Sequence, residues 1–134
     1  MTDPKPQSLE ISLLLLRLGV ALVMAMWALD KLINPGHAAG VFGNFYSLDV
    51  GTAMLYAIGS VQLVIIAAFA AGAFKVITYG AVLIMHAGST LSSWQQYLQP
   101  FDNLLFLAAW PMLAACIALF LLRHEDRLLA VQRA

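Results

Sequence analysis

Residues 8–35 read SLEISLLLLRLGVALVMAMWALDKLINP, an apolar run broken once by Arg17 and closed by Asp30, Lys31, Asn34 and Pro35. On a helix of 3.6 residues per turn, the spacing from Arg17 to Lys31 is close to four whole turns. Both cations therefore share one face, about 21 Å apart along the axis. A cation inside an apolar span is costly, and by that cost it marks a candidate functional site. The same two residues also suit plain anchoring, with each side chain reaching headgroups at its own border. The run itself leaves both uses open.

The rest of the chain repeats the apolar theme. Of 134 residues, 62% are hydrophobic and 10% charged, against about a quarter charged in soluble domains, and the mean hydropathy is +0.84. A membrane-crossing helix needs about 20 apolar residues, and such segments occur at about 9–33, 51–73, 76–98 and 104–122. The expectation is an all-α, multi-pass membrane protein, a four-helix bundle forming one domain over 1–134. Net charge is zero and there is no basic run, which argues against nucleic acid and against a polybasic lipid-binding tail. The one cysteine, Cys116, falls in the fourth apolar segment and excludes an intrachain disulfide. His37, His86 and Asp49 lack metal-ligand spacing, so no metal site is expected.

The first run is longer than a signal-peptide core, contains Arg17, and ends in LDKLINP rather than a small-x-small cleavage site, so it reads as a retained helix. Lys5, Lys75, Arg123, Arg127 and Arg133 flank one side of a four-span chain, and Lys31 alone flanks the other. Positive flanks stay inside. Both termini are then cytoplasmic in a bacterial-type inner (plasma) membrane, behind a short lead, MTDPKPQS. The loops 34–50 and 99–103 face outward, the longer one bringing Val41, Phe42, Phe45 and Tyr46 back over the bundle mouth.

Polar residues inside the spans need partners, because lipid supplies none. The second span carries Gln62 among small residues such as Ala67, Ala68, Ala71 and Gly72, which permit close helix approach. In the third, His86, Ser89, Thr90, Ser93 and Tyr97 recur at three- and four-residue intervals and form an inward stripe. Counting depth from each span's start puts Gln62 and His86 near the midplane, where a hydrogen bond between them would satisfy both. Pro111 should kink the fourth span. No acid lies in the interior of any span, away from its ends, so an inward-facing Arg17 must use Gln62, hydroxyls, carbonyls, water or a bound anion. At the outer border Asp30, Asp49, Asp102 and Asn103 gather with Lys31, Trp94 and Gln95. His86, Trp94 and Gln95 have the donors and walls for a quinone head group, and Lys31 or Arg17 the charge for a sulfur oxyanion.

The arrangement LLRLGVALVMAMWALDKLINP, a loop with FYSLD, and GSVQLVIIAAFAAGAFK resembles the DoxX-type membrane protein family over about residues 11–122. That family carries an early arginine and glycine in its first helix, a lysine at its end, and G-x-x-E-L in its second. Gln62 stands where family members often have glutamate, which removes a possible proton carrier. The resemblance implies an inner-membrane protein of quinone and sulfur redox metabolism, related to small subunits of thiosulfate:quinone oxidoreductase. Arg17, Lys31, Gln62, His86, Trp94 and Gln95 are the candidate substrate- or quinone-binding residues. A quinone is the implied cofactor, with none bound covalently. The sequence has no haem-ligating histidine pair, flavin motif or iron–sulfur cysteine set, so a catalytic partner subunit is expected beside the lipid. Two other readings use the same residues. One is an assembly subunit packing on a larger membrane enzyme, and the other is a small transporter with Arg17 and the hydroxyl stripe as its path.

Overall fold

A computed structural model describes residues 6–132. Most of the lead, and with it Lys5, lies outside the described residues, as does Arg133. The chain forms α1 (Gln7–Ile33), α2 (Pro35–Tyr46), α3 (Thr52–Ala70), α4 (Lys75–Ser92), a single turn α5 (Trp94–Tyr97), two 3₁₀ turns (Pro100–Asp102 and Leu104–Ala108) and α6 (Ala109–Leu121). Among the described residues there is no strand. Gln7–Ile33, Thr52–Ala70 and Leu104–Leu121 are long and apolar enough to cross a membrane.

Helix α1 buries Leu13, Arg17, Val20, Ala21, Met24, Ala28 and Lys31. That spacing of three and four is one helical stripe, so Arg17 and Lys31 do lie on the inward face together. Asn34 ends the helix, and Pro35 at once starts the next. Segment 34–50, expected as a loop, is helical from Pro35 to Tyr46, because a proline in the first position loses no hydrogen bond and presets φ. The chain leaves α2 through Ser47 in the left-handed region (φ 53°), and the N–H of Leu48 donates to the Phe42 carbonyl at 3.1 Å.

Helix α4 is shorter than the expected 76–98. The Ser92 and Ser93 hydroxyls both donate to the Ser89 carbonyl (2.8 and 3.2 Å), and the Tyr97 hydroxyl donates to that of Thr90 (2.7 Å). Side chains thus take carbonyls that the next helical turn would use, and the helix breaks at Ser93. Pro111 differs from expectation as well. It stands in the first turn of α6, after the Leu104–Ala108 3₁₀ turn, where no upstream α-helix exists for it to kink.

Helix α1 packs on α3 and α6, and α4 packs on the same two. Leu13, Val20, Ile66, Phe69, Val82 and Leu119 form the core between them, while Leu15, Leu22, Val64, Ile77 and Ile84 point outward. Glycines fix the register of α1 against α3. A Cβ on Gly59 would lie 3.0 Å from the Ala28 carbonyl oxygen and 3.1 Å from the Lys31 Cβ. At the other end a Cβ on Gly72 would meet the Arg17 Nη1 at 3.3 Å. Arg17 is therefore level with the α3–α4 turn, and the first turns of α1 run past the ends of its neighbours.

After α6 the chain folds back beneath the bundle. Val131 and Gln132 donate their N–H groups to the carbonyls of Ala71 (2.8 Å) and Gly72 (3.0 Å). Gly72 has φ +67°, and a Cβ there would stand 2.6 Å from that of Ala130. Gly72→Ala should therefore cost about 1–3 kcal/mol and detach the segment after Arg127. The expected readout is a lower thermal midpoint in detergent with faster proteolysis at residues 127–132. Gly88→Ala, mid-helix with nothing within 4 Å of the new Cβ, should leave both unchanged or slightly improved.

Candidate functional site

The most polar buried cluster surrounds Arg17 at the α3–α4 turn. Arg17 and Asp126 are both 0% exposed, and Lys75 and Tyr79 1%. Arg17 reaches the cluster from the inward stripe of α1. Lys75 and Tyr79 lie one turn apart on α4, so both face the same neighbour. The Tyr79 ring packs edge-on against Phe69, with centroids 4.9 Å apart, and this aims its hydroxyl at the cluster.

Asp126 arrives on the chain segment after α6. One carboxylate oxygen accepts from the Arg17 Nη1 at 2.7 Å, and the other accepts from the Tyr79 hydroxyl at 2.6 Å. The Lys75 Nζ donates to the Asp126 main-chain oxygen at 2.6 Å. The Arg17 Nη2 donates to the carbonyls of Leu128 (2.8 Å) and Leu129 (3.1 Å). Leu129 is held in the left-handed region (φ 49°), a conformation costing a leucine of order 1–3 kcal/mol. Of the Arg17 donors, Nε has no acceptor among the described residues.

Of the two uses the sequence left open for Arg17, this geometry is the inward-facing one. Carbonyls and a hydroxyl are among the partners of Arg17, as expected, but the carboxylate is not one of the partners expected. The ion pair comes from an acid beyond the fourth helix, which a search confined to the spans passes over. The signal was present in the sequence, since the acidic pair of RHEDRLLAVQ directly follows the last apolar run. Tyr79 and Lys75 were likewise missed, for each reads as ordinary at a helix border.

At the opposite end Lys31 is buried, donates to the Trp27 carbonyl at 3.1 Å, and lies 5.9 Å from the centroid of the Phe42 ring. The cavity it shares with Trp27, Asp30, Ala38, Val41 and Phe42 is about 20 Å³, room for about one water. Asp30 pairs with the His37 Nδ1 at 2.6 Å, and the Asn103 amide donates to the Gln99 carbonyl at 3.0 Å. Asp49, Trp94, Gln95 and Asp102 are exposed. Asp30 thus sits in a local pair, and Asn103 caps a turn of its own segment.

His86 ties α4 to α6. Its Nε2–H donates to the Ala109 carbonyl at 2.9 Å, a tautomer required because that oxygen only accepts. The Thr90 hydroxyl returns a bond to the His86 carbonyl at 2.8 Å. The expected Gln62–His86 bond does not form. Met85, not His86, faces α3, since consecutive residues point about 100° apart on a helix, and the Gln62 Nε2 donates to the Met85 Sδ at 3.6 Å.

The Gln62 Oε1 is buried without a donor among the described residues. This amide borders an open groove of about 330 Å³ between α3 and α4, walled by Ala57, Ile58, Val61, Ile65 and Met85. Among the described residues no cluster of His, Cys, Asp and Glu could hold a metal ion.

No family model matches the chain, no curated protein is detectably similar to it, and no solved structure matches it.

Removing one member of a buried ion pair strands the other's charge, at a cost of about 3–5 kcal/mol. Arg17→Leu and Asp126→Leu should each lower unfolding stability in mixed micelles by that amount. The double variant should lose much less than the sum. Simple additivity of the two losses would show that the pair does not hold the segment.

Proposed function

We propose that this chain is a multi-pass protein of a bacterial-type inner membrane, a DoxX-like bundle of four crossing helices with both termini cytoplasmic. We infer further that it serves a quinone-linked redox complex as a subunit without a redox centre of its own. The outward apolar faces of α1, α3 and α4 support a lipid surround. The packing of α4 between α3 and α6 supports a fourth crossing for a helix whose second half is polar. Because Asp126 meets Arg17 and Lys75, the cations Arg17, Lys75, Arg123 and Arg127 gather at one end, which the charge bias assigns to the cytoplasm.

The observation that carries the quinone reading is the Gln62 amide. It is mid-helix, borders an apolar groove open to lipid, and has one weak sulfur contact and one empty acceptor. An amide there suits both redox forms of a quinone. Nε2 can donate to a quinone carbonyl, and Oε1 can accept from a quinol hydroxyl. His86, by contrast, is engaged in joining helices, which removes it from the first rank of candidates. The assembly reading also has support in the exposed small residues Ala53, Ala57, Ser60 and Ala67 on α3, a face suited to close helix packing in lipid.

Gentle-detergent purification from the native membrane, followed by mass spectrometry of polypeptides and extracted lipids, tests this function. A cofactor-bearing polypeptide and a quinone should both co-purify, and Gln62→Leu should lose the quinone while keeping the polypeptide. Recovery of neither with the wild-type protein would refute the redox reading. For orientation, reporter fusions after Asn44 should be active in the periplasm and fusions after Arg133 in the cytoplasm.

A further inference from the structure

The bundle end at the α3–α4 turn is apolar on its surface, where connections between helices are ordinarily polar. Phe74 in that turn is 72% exposed, and Leu129 and Val131 on the returning segment are 75% and 76% exposed. All three lie at the same end. Val131 and Gln132 bond to the carbonyls of Ala71 and Gly72, and the Gln132 Oε1 accepts from the Lys75 N–H at 2.8 Å, so the segment runs along residues 71–75. Ala130, between Leu129 and Val131, is buried against Gly72.

Two of the three are held there under backbone strain. Phe74 (φ 48°) and Leu129 (φ 49°) both occupy the left-handed region, which disfavours bulky side chains. Both conformations are fixed by bonds. The Phe74 carbonyl accepts from the Ile77 and Thr78 N–H groups at 3.0 and 2.9 Å, and the Leu129 carbonyl accepts from the Arg17 Nη2 at 3.1 Å. Glycine stands at position 72, where φ is also positive but a Cβ would collide with Ala130. Phenylalanine and leucine stand where the side chain projects outward. Being mostly exposed, these side chains gain little from packing inside the chain, so their surroundings decide what they contribute.

The neighbouring surface indicates those surroundings. Helix α1 stays apolar and exposed past this level, at Leu15 and Ile11, and Ile11 lies about 9 Å beyond Arg17 along the axis. Helix α4 opens with exposed Val76 and Ile77 directly after the turn, and its outward face continues at Ile84. The apolar sides of the helices thus reach the level of Phe74, Leu129 and Val131 and extend past it. Arg127, exposed on the same segment, is a cation suited to lipid headgroups.

We propose that Phe74, Leu129 and Val131 form an interfacial anchor that seats the α3–α4 turn and the returning segment in the headgroup–acyl boundary of a phospholipid bilayer. The bilayer then holds Asp126 against Arg17 from outside, in addition to the bonds within the chain. This inference rests on the reading of the long helices as membrane-crossing and is independent of the quinone reading.

The test uses full-length protein in nanodiscs of phosphatidylethanolamine and phosphatidylglycerol. Single nitroxide labels are placed by Phe74→Cys, Leu129→Cys, Val131→Cys or Ile84→Cys in a Cys116→Ala background, and relaxation by oxygen is compared with relaxation by a water-soluble nickel chelate. Oxygen should dominate at all four sites, with 74, 129 and 131 shallower than 84. Oxygen dominance at 84 with chelate dominance at the other three would overturn the anchor while leaving the crossing helices in place; a docking surface for a soluble protein gives that result. Chelate dominance at all four would remove both readings. A second measurement separates lipid from packing. Leu129→Asn combined with Val131→Ser keeps every main-chain bond, and asparagine tolerates the left-handed region, so packing within the chain predicts equal or slower hydrogen–deuterium exchange at the Gln132 amide. The anchor predicts about tenfold faster exchange in nanodiscs, after correction for intrinsic rates, because two apolar side chains leave the lipid. Unchanged or slower exchange would overturn the proposal.

Discussion

A buried arginine must be neutralised, and in this chain the demand of Arg17 organises one whole end of the molecule. Transfer of an unpaired guanidinium into a low-dielectric interior costs several kcal/mol even after relaxation. The remedy here draws on two other parts of the sequence: the hydroxyl of Tyr79 on α4, and, on the returning segment, the carboxylate of Asp126 and two main-chain carbonyls. Because Asp126 is shared with Tyr79 and its main chain with Lys75, the pair also sets where α4 sits against α1. Gly72 is required there twice over, by its positive φ and by the approach of Ala130.

The two ends of α1 solve the same problem differently. Lys31 satisfies itself locally, with a carbonyl of its own helix one turn back and an aromatic face nearby, so α2 needs only to cover it. Arg17 relies on partners distant in sequence. A flexible ammonium suits the first solution, and a planar fork with donors on several edges suits the second. Between them the interior is largely apolar, and the Gln62 amide oxygen there has no donor among the described residues.

Much of the architecture was legible in the sequence because apolar length and helical spacing are local properties. The inward stripe from Leu13 to Lys31 follows from them, as do the long apolar helices around 9–33, 51–73 and 104–122. The breaks were less legible. Ser92, Ser93 and Tyr97 end α4 by competing for carbonyls, and Pro35 begins a helix where it was read only as ending one; in both cases hydrogen-bond geometry outweighs hydropathy. The Arg17 cluster was half legible. A cation in an apolar run announces that it needs a partner, but the partner lies outside every apolar segment, and periodicity carries no information about a chain that folds back.

The distance in sequence between Arg17 and Asp126, 109 residues, has a consequence for biosynthesis. At about 5–20 residues per second, Arg17 is made roughly 5–20 s before the acid that neutralises it. Helix α1 is therefore complete while its arginine is still uncompensated. Its position level with the α3–α4 turn, at one end of the helices, lets water serve in the interval. Closure of the cluster is then a late event in assembly, available only after all the long helices have been made, and it acts as a check that α1, α4 and α6 have reached a common register.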